Sequence, residues 1–231
     1  MIEEFSFGNF WSFKDIQTLN LSAAKIKSKN PEIDSTNVIT INDKLSLLKS
    51  KAIYGANASG KSNVIQALIT FRQIIKNSIK DEKILKYTIV PFLLSTETEK
   101  EPTFFQLIFR YKNIRYRYGF EVDSEEFKSE WLYATPNIRE IPLFIRENNK
   151  IIDISEKHYL EGFKLISLID EGDKFDNEIF RNNFLFLSTV ASFGFGKLSK
   201  KLINSIYSIL IVNGLGDKNM FDIASSSLEN R

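Results

Sequence analysis

Eight consecutive residues, Gly55, Ala56, Asn57, Ala58, Ser59, Gly60, Lys61 and Ser62, fit the spacing G-x-x-x-x-G-K-[ST] of a loop that cradles phosphate. A polyphosphate needs several backbone N–H groups converging on one anion. Glycines at positions 55 and 60 let the main chain bend that tightly without Cβ clashes. A helix beginning near Lys61 adds unpaired amides and the positive end of its dipole. In this pattern the lysine ammonium reaches the β- and γ-phosphates, and the Ser62 hydroxyl ligates Mg²⁺. The expected occupants are ATP and Mg²⁺, held by residues 55–62 and the following Asn63, with Ser62 as the metal ligand.

Such a loop works only between a strand and a helix, and the flanking sequence predicts both. Lys51-Ala52-Ile53-Tyr54 reads as the strand, and Val64, Ala67, Leu68, Phe71, Ile74 and Ile75 recur at helical spacing behind the loop. Upstream, residues 2–7 and 16–21 read as a β-pair around the aromatic turn Gly8-Asn9-Phe10-Trp11-Ser12-Phe13. Residues 23–36 read as a polar surface excursion and 38–41 as a further strand. Downstream, Phe105, Leu107, Phe109 and Tyr111 alternate with Gln106, Ile108 and Arg110; a second alternating run of Ile114, Tyr116, Tyr118 and Phe120 follows Lys112-Asn113. Together they predict an antiparallel hairpin. Trp131-Leu132-Tyr133 and Pro142-Leu143-Phe144-Ile145 add candidate strands. From about Asn177 the pattern turns helical, with Ile179, Asn183, Phe184, Leu187 and Val190 on one side. A second helix is expected over 198–212, ended by Gly214-Leu215-Gly216.

Composition narrows the possibilities. At roughly 150 residues per domain, 231 residues make one domain with an elaboration, or part of something larger. Hydrophobic residues at 43% and charged residues at 26% exclude a disordered or fibrous chain. A net charge of +2 is too balanced to announce nucleic-acid binding in bulk. The absence of cysteine excludes disulfides, thiolate zinc and thiol nucleophiles, and the single histidine, His158, excludes a multi-histidine metal cage. An acidic start without an unbroken apolar stretch predicts neither a secretory signal nor a membrane span, hence a soluble cytoplasmic chain.

A wider similarity specifies the class of loop. Asn9-Phe10-Trp11-Ser12-Phe13, then residues 52–63, resemble the opening of ABC-type ATPases of the chromosome-maintenance and DNA-repair kind. More narrowly the chain resembles bacterial AAA ATP-binding proteins grouped with the overcoming-lysogenization-defect nucleases and abortive-infection systems. Residues 116–121, 130–133 and 183–188 share in that resemblance. It implies an α/β fold: a P-loop nucleotide-binding lobe with an antiparallel β arm and C-terminal helices. The implied layout is one incomplete head, with strands, loop and loop helix in 1–80, the arm in 81–160 and a helical segment in 161–231. It also implies nucleotide-controlled association in anti-phage defence or DNA transactions, through a homodimer or a partner chain that supplies the rest of the ATPase site. The family's opening motif usually carries Arg or Lys where this chain has Trp11. Trp11 either stacks on adenine or belongs to a β-rich core, and Lys14 is the nearby cation.

The second half of such a site calls for a glutamine loop, a Ser-Gly-rich signature, an apolar strand ending in Asp-Glu, and a histidine switch. Residues 165–169 followed by Asp170-Glu171 imitate that strand, but no signature precedes them and His158 lies upstream. The bland alternative is an apolar helix end leading into an acidic turn. Other readings are an ATP-dependent small-molecule kinase, for which residues 80–83 supply no Arg-rich lid, and a non-hydrolysing regulatory or nucleic-acid-binding subunit. The latter would use Arg110, Lys112, Arg115 and Arg117 interleaved with Tyr111, Tyr116 and Tyr118, a pattern that ordinary half-buried strands also produce.

Overall fold

The computed structural model describes residues 1–26, 29–169 and 181–212. The chain opens with β1 (Ile2–Gly8), β2 (Gln17–Asn20), α1 (Pro31–Asn37), β3 (Val38–Asn42) and β4 (Leu45–Leu48). The loop helix α2 (Lys61–Asn77) and the short α3 (Ile84–Thr88) come next. Five strands follow: β5 (Thr103–Tyr111), β6 (Ile114–Val122), β7 (Phe127–Thr135), β8 (Ile141–Glu147) and β9 (Lys150–Ile154). Three helices then appear, α4 (Leu160–Ile169), α5 (Phe186–Ser192) and α6 (Lys197–Tyr207).

Seven strands form one sheet in the order β2-β1-β5-β6-β7-β8-β9, every neighbouring pair antiparallel, and β3 and β4 form a separate hairpin. The expected hairpin is β5 and β6. Lys112 and Asn113 both take positive φ, 48° and 64°, the backbone that a two-residue connection between twisted strands requires. Period-two alternation then sends one set of side chains to the core. Phe7, Phe105, Phe120, Glu130 and Arg146 lie in one register row, and Phe5, Leu107, Tyr118, Leu132 and Phe144 in the next. Helix α2 lies on this face. Its buried residues are Ala67, Leu68, Phe71, Ile74 and Ile75 at helical spacing, with Thr70 beside them, and the Phe71 ring stacks on Phe120 with centroids 5.4 Å apart.

Two groups fasten α2 to the C-terminal helices. Arg72 donates to the carbonyls of Ile209 (2.8 Å) and Tyr207 (3.1 Å), while the Tyr207 hydroxyl donates back to the Arg72 carbonyl at 2.9 Å. The Ser188 hydroxyl on α5 donates to the Ile75 carbonyl at 2.8 Å.

Several expectations are corrected. Residues 51–54 form no strand, because among the described residues no neighbouring strand offers them a ladder. Not a correction is the run 165–169, which is helical, in α4, as the apolar-helix-end reading has it rather than the Asp-Glu strand it imitates. Helix α6 stops at Tyr207, before position 212, where the chain turns to meet Arg72. The polar stretch 23–36 leads into α1, which starts at Pro31 with Asn30 capping the Glu32 amide. Asn183 and Phe184 precede α5 rather than lying in it. Asn177, Ile179, Asp170, Glu171 and residues 214–216 lie outside the described residues.

Candidate functional site: the loop before helix α2

Helix α2 begins directly on the glycine-rich loop. Gly60 is its N-cap at φ 87°, left-handed, and a Cβ there would stand 2.9 Å from Phe13 Cζ, so conformation and space both require glycine. Ala58 also takes positive φ, 62°, costing about 1 kcal/mol for a residue with a Cβ, the kind of strain that gathers at functional sites. The Lys61 ammonium folds back and donates to the Ala56 carbonyl at 2.6 Å, closing the loop on itself. A cavity of about 180 Å³ opens here, lined by Ser12, Ala58, Ser59, Gly60, Lys61, Ser62 and Asn63. Six residues of the predicted set thus share one cavity. Gly55, Ala56 and Asn57 lie on the exposed approach without lining it, and Tyr54 just before them is 91% exposed.

The helix starts sort by what meets them. Leu185, the N-cap of α5, supplies no side-chain acceptor; the buried Glu130 of β7 accepts instead from the Phe186 amide (2.6 Å) and the Leu187 amide (3.0 Å). Helix α6 starts at Gly196, and Glu161 of α4 accepts from the Leu198 and Ser199 amides at 2.8 and 2.6 Å. Both helices borrow a carboxylate from elsewhere in the fold. Helix α2 has no side-chain cap and no acidic residue in its first turn. Its leading amides and dipole face the cavity unneutralised, beside a lysine, an arrangement that favours an external anion.

Sequence reasoning missed Ser12 as part of this cavity. Its hydroxyl accepts from the Asn63 side-chain amide at 2.8 Å, which joins the turn between β1 and β2 to the first turn of α2. No local pattern reveals this pairing; only the wider motif around Asn9 hinted that the turn mattered. Asn9 holds the turn in place. Its amide nitrogen donates to the carbonyls of Thr98 (2.8 Å) and Glu101 (2.7 Å), and its Oδ1 accepts from the Phe92 amide at 2.9 Å. Asn9 is buried and left-handed at φ 47°, a conformation asparagine tolerates better than most residues. Replacing it with alanine removes the side-chain partner of three part-buried backbone groups, and the expected loss is about 1–3 kcal/mol of stability, read from urea unfolding midpoints.

Trp11 is not in the core. It is 41% exposed, stacked on Phe10 at 5.6 Å, and its amide donates to the Val90 carbonyl, because the turn projects it outward. Lys14 pairs with Glu97 at 2.8 Å. The hairpin arginines are paired as well: Arg110 and Arg115 with Glu3, and Arg117 with Glu140 at 2.6 Å beneath the Tyr133 ring. Arg117 holds the Glu140 carboxyl below its ordinary range through their hydrogen bond. Tyr116 and Tyr118 are buried, so the alternation is that of a half-buried strand. His158 is exposed; its backbone amide donates to Ser155 Oγ.

Beside residues 51–54 runs an apolar groove of about 560 Å³, lined by Ile2, Leu19, Leu21, Ile53, Ile65, Leu68, Phe109, Ile211 and others. Among the described residues, no cluster of three or more His, Asp or Glu side chains could hold a metal, and no helix is long and apolar enough to cross a membrane.

Residues 52–203 match the family model described as "AAA domain, putative AbiEii toxin, Type IV TA system". Comparisons with curated proteins and with solved structures returned no match. The match covers well over half of the 231 residues and includes the glycine-rich loop, α2, the β5–β9 strands and most of the C-terminal helices. The chain belongs to this AAA-domain family of ABC-type ATPases related to abortive-infection proteins.

Proposed function

We propose that the chain binds ATP with Mg²⁺ on Gly55, Ala56, Asn57, Ala58, Ser59, Gly60, Lys61, Ser62 and Asn63, as the N-terminal part of an ABC-type ATPase head. The observation that carries this reading is the start of α2, uncapped and free of acidic residues while α5 and α6 each borrow a carboxylate. Lys61 would exchange its Ala56 carbonyl for phosphate oxygens, a stronger charge-assisted partner. Ser62 is exposed on the cavity wall and fits a Mg²⁺ ion that takes its other ligands from phosphate and water, an ion rarely held by an all-protein cage. The ion, when bound, neutralises the charge of the β- and γ-phosphates.

The proposed head is single and incomplete: loop and loop helix in 1–80, β arm in 81–160, helical segment in 161–231. Function is then nucleotide-controlled association in an abortive-infection or DNA-transaction setting, completed by a second copy or a partner chain. The apolar groove beside residues 51–54 supports this, since exposed apolar surface next to a segment outside any sheet is what a partner covers. Sedimentation with and without MgATP tests the association. The expected result is a larger species with nucleotide, together with slow turnover by the chain alone. Turnover as fast as a complete ATPase, with no partner present, would overturn the incomplete-site reading.

A further inference from the structure

We propose that Ser12 is a further phosphate-binding residue of this cavity, donating its hydroxyl to a phosphate oxygen, and that Asn63 positions it. The inference rests on the reading of residues 55–62 as a nucleotide site and extends it to a residue outside the matched segment 52–203. Ser12 alone among the cavity-lining residues comes from outside the loop and α2, and it lies 51 positions before Asn63.

The chemistry follows from the direction of one hydrogen bond. Asn63 Nδ2 donates to Ser12 Oγ, which occupies the serine as acceptor and leaves its own O–H proton to donate. A neutral hydroxyl donor beside an ammonium and a row of amides completes an anion site without further charge. The turn that carries it is already set. Phe10 and Phe13 exchange both backbone hydrogen bonds at 3.0 Å, the Trp11 amide is held by Val90, and Asn9 fixes the base of the turn. The Phe13 ring packs edge-on against Phe7 and fills the space beside Gly60 where a Cβ would stand. Little conformational entropy remains to be lost when ligand arrives.

Calorimetric titration with MgATP of the wild type, Ser12→Ala, Ser12→Thr, Asn63→Ala, the Ser12→Ala/Asn63→Ala double variant and Lys61→Ala tests the proposal. Ser12→Ala is expected to weaken ATP binding about tenfold, the worth of one hydrogen bond to a charged group. Ser12→Thr, which keeps the hydroxyl, should stay within about twofold of wild type on the same scale. Without ligand, Ser12→Ala should melt as the wild type does, because the side chain is exposed. The double variant should bind no worse than Ser12→Ala, because the Asn63 side chain acts through Ser12, and the main chain that Asn63 contributes to the site is kept in alanine.

Wild-type affinity in Ser12→Ala while Lys61→Ala loses ATP would overturn the Ser12 assignment and leave the ATP site standing. Equal losses in Ser12→Ala and Ser12→Thr would also overturn it, since the hydroxyl would not be the cause. Additive losses in the double variant would overturn the positioning role of Asn63. Absence of binding by the wild type would overturn the nucleotide site itself.

Discussion

Replacing Lys61 with alanine removes ATP affinity by about a hundredfold or more while the protein keeps its fold. Among the described residues the lysine is the one cation lining the cavity, and its ammonium lies 2.6 Å from a loop carbonyl that phosphate oxygens would displace. Hydrogen bonds to charged groups contribute about 1.5–3 kcal/mol each, and a lysine bridging two phosphates makes at least two. The fold survives because, among the described residues, the only hydrogen-bond partner of Nζ is that loop carbonyl, and the side chain lies outside the core. Calorimetry with MgATP gives the affinity, and thermal melting of the ligand-free proteins gives the fold; the two should separate cleanly in the variant. Arginine at this position should not restore full binding, since a planar fork does not occupy the place of a compact ammonium.

The second large effect lies on the core face of the sheet. Glu130 is fully buried, accepts from the Tyr118 hydroxyl at 2.9 Å and from the two leading amides of α5, and faces Arg146 at 3.6 Å. Arg146 in turn donates to the carbonyls of Phe184 and Asn148. Burial pushes the Glu130 carboxyl up, while Arg146 and the amides of Leu187 and Phe186 hold it down. Burial likewise raises the Tyr118 hydroxyl well above its ordinary value. Glu130→Ala leaves a buried guanidinium without its carboxylate, a tyrosine without its acceptor and α5 without its cap. The expected cost is about 3–5 kcal/mol, a large share of a domain's total stability. The melting temperature should fall by roughly 10 °C in a chain of this length. Arg146→Met alone should cost less, because Glu130 keeps three donors, and the double variant should show a coupling of about 1 kcal/mol or more. Independent, additive effects would mean that the pair does not act as a unit.

What was legible in the sequence was what is local. The loop could be read because its chemistry lies in eight adjacent residues, and the β5–β6 hairpin because alternation and the Lys112-Asn113 turn sit side by side. Helix α2 was legible because its apolar residues keep one period throughout. What escaped depends on partners far along the chain. Residues 51–54 have the composition of a strand, yet a strand exists only with a neighbour, and no described segment supplies one. Glu130 looks like a polar interruption of a strand until the register puts it in a row with Phe120 and Arg146, under the start of α5. Ser12 joins the cavity only because α2 packs on the face of the sheet that contains β1, bringing the turn after β1 against Gly60 and Asn63. The arginines that suggested a nucleic-acid face are matched by Glu3 and Glu140, carried on β1 and on the connection before β8.

The measurement closest to the centre of the account is a calorimetric titration of the wild-type chain with ATP and with AMP, each in excess Mg²⁺. A loop built for polyphosphate predicts saturable binding of one ATP per chain, and at least about a hundredfold weaker binding of AMP, which lacks the phosphates that Lys61 and the α2 amides would hold. Equal affinity for the two nucleotides, or no saturable ATP binding at millimolar concentration, would contradict it.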